Sequence, residues 1–257
     1  MIKIEPIKAF SDNYIWLVTT NEGLLVVDPG DASPVKTYLQ NNNKDLSNIL
    51  ITHHHFDHTG GVEELVSNNP LDVYGPTNSI FDGVNKELKD GDKVKIIGID
   101  FSIIEVPGHT LDHIAFYADN DGDPFLFCGD TLFAGGCGRI FEGTFEQMFN
   151  SLNKLSKLPQ NTKIYCGHEY TLSNLAFALE VDKSNHTLVQ RYKNCVKARN
   201  NDIPTIPSSL DLELKTNPFL RSHQKDIQEC IMQKFDYIDE PNDMNIFKAT
   251  REWKDNA

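Results

Sequence analysis

Thr52-His53-His54-His55-Phe56-Asp57-His58-Thr59-Gly60-Gly61 is the stretch on which the reading of this chain turns. Four of its side chains, His53, His55, Asp57 and His58, are of the types that bind transition metals. The apolar run Asn48-Ile49-Leu50-Ile51 just before them reads as a buried strand. Side chains alternate along an extended chain, so His53 and His55 point the same way and can grip one ion, while His54 points the other way. Asp57 and His58 are adjacent and diverge, which suits a second ion close to the first. Gly60-Gly61 lets the backbone turn tightly before Val62-Glu63-Glu64-Leu65-Val66 begins a helix. A purification-tag-like histidine tract would lack the aspartate, the strand before it and the glycine pair after it.

One decapeptide cannot fill two metal sites, so other strand ends must supply ligands. Three do. Ile103-Ile104-Glu105-Val106-Pro107-Gly108-His109 is an apolar strand broken by Pro-Gly, with His109 just past the break. Phe125-Leu126-Phe127-Cys128-Gly129-Asp130 repeats the design with Asp130, and Lys163-Ile164-Tyr165-Cys166-Gly167-His168 repeats it with His168. Any one of these alone reads as a core histidine or a turn aspartate; together with residues 53–58 they read as a metal centre.

His-x-His-x-Asp-His followed by strand-end Gly-His, Gly-Asp and Gly-His resembles the metallo-β-lactamase superfamily, whose early strand-end aspartate Asp28 matches in Leu24-Leu25-Val26-Val27-Asp28-Pro29-Gly30. Longer stretches, Gly129-Asp130-Thr131-Leu132-Phe133, Gly136-Cys137-Gly138-Arg139, Phe141-Glu142-Gly143-Thr144, Tyr165-Cys166-Gly167-His168-Glu169-Tyr170 and Asn217-Pro218-Phe219-Leu220-Arg221, are similar to glyoxalase II, the hydroxyacylglutathione hydrolases, and carry the resemblance from about residue 10 to the end. The resemblance implies His53, His55 and His109 on one metal ion, Asp57, His58 and His168 on a second, and Asp130 bridging both. A carboxylate can span two ions about 3.5–4 Å apart, which a neutral imidazole cannot. The resemblance further implies Asp57 and Asp130 as the catalytic carboxylates beside the nucleophile, a hydroxide formed from water between the ions. Zinc is the first expectation for the pair of divalent ions, with iron or manganese open. The implied substrate is S-D-lactoylglutathione or a related 2-hydroxyacyl thioester, cleaved to D-lactate and glutathione in the second step of methylglyoxal detoxification.

Composition narrows the partners. The formal net charge of −13 over 257 residues argues against a nucleic-acid substrate, although nucleases share this metal motif. No apolar stretch approaches the roughly 20 residues needed to span a bilayer, so no membrane partner is expected, and the N-terminal Met-Ile-Lys-Ile-Glu-Pro has no signal-peptide core. Five cysteines without Cys-x-x-Cys spacing fit a reducing cytoplasm. A monomer is the default expectation. Gly-x-Ser-x-Gly is absent, which agrees with a nucleophile that is not a side chain.

Up to about residue 168, short β-rich runs dominate: 2–7, 13–19, 24–27, 49–51, 94–97, 101–106, 114–117, 125–128 and 163–166. Helices are expected over 35–40, 62–68 and 145–158. Two sheets with helices outside, an αββα sandwich, would bury so many apolar strands. After Tyr170 helical spacing takes over, with helices expected over 172–179, 187–199, 224–234 and 242–254. The expected fold class is thus α/β: a catalytic metallo-β-lactamase-like domain over 1–168 and a smaller helical substrate-binding domain over 169–257.

Within the second domain Lys248, Arg251 and Lys254 recur every three residues, a basic stripe in an acidic chain. The resemblance assigns an Arg-x-x-Lys pair, Arg251 and Lys254, to the glycine carboxylate of glutathione, with Tyr170 and Arg139 reaching the tripeptide. Phe141 stands where animal members carry a tyrosine that hydrogen-bonds the tripeptide, so that contact must be absent or replaced. A lactonase or β-lactamase-like hydrolase and a sulfur-dioxygenase-type oxidoreductase are the alternatives on the same scaffold.

Overall fold

The computed structural model describes residues 2–67, 70–236, 238 and 241–257. The chain forms two compact units: Met1–Glu105 with Asp112–Gly129 and Tyr165–His168, and Val106–Leu111 with Asp130–Ile164 and Glu169–Ala257.

The first unit contains strands β1 (Lys3–Ala9), β2 (Asn13–Thr19), β3 (Leu24–Val27), β4 (Asn48–Leu50), β5 (Asp72–Pro76) and β6 (Lys86–Leu88), in that order in one sheet. The first three pair antiparallel and the rest parallel. β7 (Lys93–Ile96), β8 (Ile99–Glu105), β9 (Ile114–Asn120) and β10 (Asp123–Gly129) make an antiparallel meander of a second sheet. β2 shows how the layers arise from alternation. Ile15 and Leu17 join a buried cluster with Val26, Ile49, Ile51, Val35 and Leu65, the last two from helices α1 (Ala32–Asn42) and α3 (Val62–Val66). On the opposite face Trp16 stacks edge-on against Tyr165, centroids 4.8 Å apart, and its indole N–H donates to the Cys166 carbonyl at 2.9 Å. That is the order helix, sheet, sheet. Between β4 and α3 lies α2 (Phe56–Thr59), a single turn carrying Asp57 and His58.

The second unit is mainly helical. It holds the hairpin β11 (Leu132–Phe133) and β12 (Gly136–Cys137), and helices α4 (Phe145–Leu155), α5 (Thr171–Val181), α6 (His186–Arg199), α7 (Leu210–Thr216), α8 (Lys225–Lys234) and α9 (Asp243–Asp255). In the first unit Tyr165 and Cys166, at the end of β13 (Lys163–Cys166), lie in the second sheet beside β10; in the second unit Lys163 and Ile164 pair antiparallel with β14 (Ser208–Ser209). α4 opens on a capping box of Thr144 and Gln147, a local signal written in the sequence. A buried ion pair of Arg191 with Glu213, joined by Ser208 and Thr216, ties α6 to α7.

The nine expected strands are present with ends shifted by up to three residues. β5, β6 and α7 were not expected. β5 contains Gly75 and Pro76, and β6 offers only Leu88 to the core, so each owes its extended form to its partner strand. α7 reads Leu-Asp-Leu-Glu-Leu, a period of two, yet Ser209 caps it and Glu213 turns inward to Arg191. The expected helix over 62–68 ends at Val66, and Asn68 lies outside the described residues. No described helix is long and apolar enough to cross a membrane.

Candidate active site

In the first unit the strand-end rule delivers its side chains together. β4 ends at Leu50, and His53, Asp57 and His58 follow within one bend and the single turn of α2. His53 and His58 are buried, and their rings lie 4.1 Å apart. His53 Nε2 faces His55 Nδ1 at 3.2 Å, so the first pair converges as alternation predicts. Asp57, His58 and His168 present ligand atoms all within 4.8 Å of one another. Asp57 Oδ2 stands 3.6 Å from His58 Nε2 and 3.3 Å from His168 Nε2.

The other ring nitrogens reveal the purpose of that arrangement. His58 Nδ1 donates to Asp28 Oδ2 at 3.0 Å, and His168 Nδ1 donates to Asp12 Oδ1 at 2.7 Å. Each carboxylate holds the proton on Nδ1, leaves Nε2 with its lone pair toward Asp57, and raises the basicity of the ring. Asn13 places the third donor, its amide donating to Asp57 Oδ2 at 3.1 Å. Gly30 lets the backbones approach: a Cβ there would lie 1.9 Å from the Asp57 carbonyl oxygen. Asp28 also sits close to His53 and His58. Its oxygens accept from Thr52 N, Thr52 Oγ1 and His58 Nδ1 at 2.8, 2.7 and 3.0 Å, which orients the His58 ring.

His54 and His113 stand apart from the ligand role. His54 Nδ1 donates to Asp112 Oδ1 at 2.9 Å, and Asp112 Oδ2 accepts from Ser79. His113 is buried, stacked on His53 at 4.6 Å, with Nδ1 donating to the Ile114 carbonyl.

The second unit repeats the logic around His109 and Asp130. His109 Nδ1 donates to the Arg139 carbonyl at 2.7 Å, which turns Nε2 toward Asp130 Oδ2 at 3.5 Å. The Phe141 and Glu142 amides in turn donate to the His109 carbonyl. Gly138 makes the turn possible, since a Cβ there would fall 1.9 Å from the Asp130 carbonyl oxygen. Phe141 is exposed and lies edge-on to the His109 ring at 5.2 Å; Tyr170, partly exposed, is edge-on to Phe133 at 5.3 Å.

The basic stripe is less uniform than its spacing suggests. Arg251 is 3% exposed, with Nη1 donating to the Cys137 carbonyl at 2.9 Å and Nη2 to Asp255 Oδ1 at 3.0 Å. Lys248 faces solvent and pairs with Glu252. Lys254 lies over the Phe177 ring, and burial, then the charge of Arg251, pushes its amine down to about 8. Arg139 reaches the same place, its Nε donating to Asp255 Oδ1 at 3.1 Å. Burial pushes the Cys137 thiol up, the wrong direction for a nucleophile.

Residues 10–168 match the family model of the metallo-beta-lactamase superfamily, and residues 169–257 match the hydroxyacylglutathione hydrolase C-terminus. A hydroxyacylglutathione hydrolase of Pseudoalteromonas translucida is 48% identical over 99% of both chains. One of Photobacterium profundum is 49% identical over 100% of both. The chain belongs to the hydroxyacylglutathione hydrolases. This is an enzyme family of the metallo-β-lactamase superfamily, and its fold carries the His/Asp groups of a two-metal site. Among solved structures, TTHA1623 in a di-iron-bound form has a TM-score of 0.62 at 27% identity, covering 84% of this chain and 100% of that one. Membership does not favour the lactonase, β-lactamase or sulfur-dioxygenase alternatives.

Sequence reading did not find Asp12, Asn13 or Asp255. Asp12 and His168 are 156 positions apart, and the bridge between Asn13 and His168, with the Tyr14 amide donating to the Gly167 carbonyl, brings them together. The one available signal for Asp12 is a polar Ser-Asp-Asn turn beside an apolar strand.

Proposed function

We propose that this chain hydrolyses S-D-lactoylglutathione and related 2-hydroxyacyl thioesters to glutathione and D-lactate, with two divalent transition-metal ions, zinc first and iron or manganese as substitutes. The observation that carries the reading is the fixed tautomer of His58, His109 and His168. Each spends Nδ1 on a carboxylate or carbonyl and turns Nε2 to a ligand-type carboxylate. Imidazole nitrogens plus carboxylates are the donor set of hydrolytic zinc or iron, not of magnesium or calcium. His53, His55 and His109 would hold one ion, Asp57, His58 and His168 the other, and Asp130 both. When bound, the ions supply Lewis acidity at the thioester carbonyl and water acidified to near neutral pH.

The chain's own residues do the rest. Asp12 and Asp28 lock two ligand rings and offset positive charge at the centre. No general acid is needed for the sulfur, because a leaving thiol of pKa about 8.5 departs as the thiolate. Arg139, Tyr170, Arg251 and Lys254 would hold the tripeptide, with Phe141 offering an apolar face in place of a hydroxyl. The catalytic domain would span residues 1–168 and the substrate-binding domain 169–257. Five cysteines without Cys-x-x-Cys spacing support a reducing cytoplasm as the place of work, and we expect the monomer to be the active form.

Thiol release from S-D-lactoylglutathione, measured beside elemental analysis of the same sample, tests the reading. Turnover with close to two transition-metal ions per chain, both lost on chelation, is expected. Turnover that survives metal removal, or a metal-loaded chain inert toward the thioester, would refute it.

A further inference from the structure

Arg139, Arg251 and Lys254 gather three positive charges in the second unit of a chain whose formal net charge is −13. One carboxylate is already seated on them. Asp255 Oδ1 accepts from Arg139 Nε at 3.1 Å and from Arg251 Nη2 at 3.0 Å, and the Asp255 carbonyl oxygen lies 3.4 Å from Arg139 Nη2. A single oxygen thus serves two guanidinium groups. Three cations and one carboxylate leave a surplus of two positive charges, so the cluster still attracts an anion.

We infer that Asp255 is an internal anion that the terminal carboxylate of the substrate must displace, so that this residue sets the affinity and anion selectivity of the cluster. The inference rests on the proposed glutathione thioester reading.

The geometry argues for exchange rather than simple addition. Arg251 Nη1 is committed to the Cys137 carbonyl, and its Nε is buried with no hydrogen-bond partner among the described residues. Its one bond to an anion is therefore the one to Asp255. The Arg251 side chain is nearly buried, so an arriving carboxylate that pairs with it competes with the Asp255 oxygen for the Nη2 edge. Arg139 can mediate the handover, because its side chain is 55% exposed while that of Arg251 is 4% exposed. The partial deprotonation of Lys254 near neutral pH has the same origin: burial and a neighbouring cation outweigh the one carboxylate present. The opposing view treats Asp255 as an ordinary i,i+4 partner of Arg251 at a helix end, irrelevant to substrate. The two views differ in the sign of a measurable change.

Asp255→Asn keeps the size and one carbonyl acceptor but removes the charge. KM for S-D-lactoylglutathione should fall by about three- to tenfold, with kcat and metal content unchanged, because an unfavourable like charge a few ångströms away is gone. A thioester whose glycine carboxylate is converted to the amide should show no change. An unchanged KM would return Asp255 to the role of a helix-end partner. A raised KM would make it an aligning residue, and either result overturns the inference. A second arm needs no turnover: titration of parent and variant with N-acetylglycine, followed at the arginine Nε–H resonances by NMR. Tighter binding in Asp255→Asn supports the internal anion, and equal or weaker binding refutes it. If that arm succeeds while the parent releases no thiol, only the glutathione reading fails.

Discussion

Replacing Asp28 separates two properties that most mutations lose together. Its carboxylate is 4% exposed and accepts from Thr52 N, Thr52 Oγ1 and His58 Nδ1 at 2.8, 2.7 and 3.0 Å. Its backbone is left-handed, φ +53. In Asp28→Ala the Thr52 hydroxyl keeps its contact with His53 Nδ1 at 3.0 Å, but the Thr52 amide, the Thr52 hydroxyl proton and His58 Nδ1–H lose their acceptor. Three buried orphan donors cost about 1–3 kcal/mol each, and a Cβ of alanine in the left-handed region adds about 1 kcal/mol. The sum is about 4–10 kcal/mol, and the lower half is expected because water entering the vacated space can serve the donors. Asp28→Asn behaves differently. Asparagine tolerates φ > 0 and still offers one acceptor, so the loss should be about 1–2 kcal/mol. Its amide N–H₂, however, opposes His58 Nδ1 and favours the tautomer with the proton on Nε2, the nitrogen that faces Asp57. Metal affinity should then fall by about 10–100-fold or more although the fold survives. Urea unfolding of the chelated proteins and competition titration against a chelator read the two effects separately. Parent-like metal affinity in Asp28→Asn would refute the tautomer argument, and a stability loss below about 1 kcal/mol in Asp28→Ala would refute the hydrogen-bond count.

Three further outcomes are expected. Asp130→Ala should lose metal at both positions and nearly all turnover, whereas His54→Ala, whose ring is tied to Asp112, should keep most of each; elemental analysis beside initial rates decides. Gly30→Ala removes no functional group, yet its Cβ would stand 1.9 Å from the Asp57 carbonyl oxygen, so metal occupancy should drop measurably. KM for lactoylglutathione should rise as pH climbs through about 8, because Lys254 carries its charge below that value and loses it above, while the amidated thioester should show no such limb. A pH-independent KM ratio between the two substrates would remove Lys254 from the carboxylate site.

What the sequence determined by itself was local in origin. Alternation placed His53 and His55 on one side of an extended segment, and the glycines before His109, Asp130 and His168 marked strand ends where functional side chains collect. The buried strands announced themselves through β-branched and aromatic runs, and α4 through the helical spacing of Phe145, Met148, Phe149, Leu152 and Leu155. What only tertiary structure decided was everything that depends on a partner distant in the chain. β5 and β6 are strands because β4 and β5 pair with them. α7 is a helix despite a strand-like pattern because Glu213 is needed by Arg191. The proton on His168 Nδ1 is held by Asp12, and Arg251 is buried against the Cys137 carbonyl where its spacing indicated an open stripe. Periodicity and turn chemistry act over a few residues and so can be read along the chain. The tautomer of a ring, or the burial of a charge, is set by whichever group the fold brings within about 3 Å, and linear order carries no record of that distance.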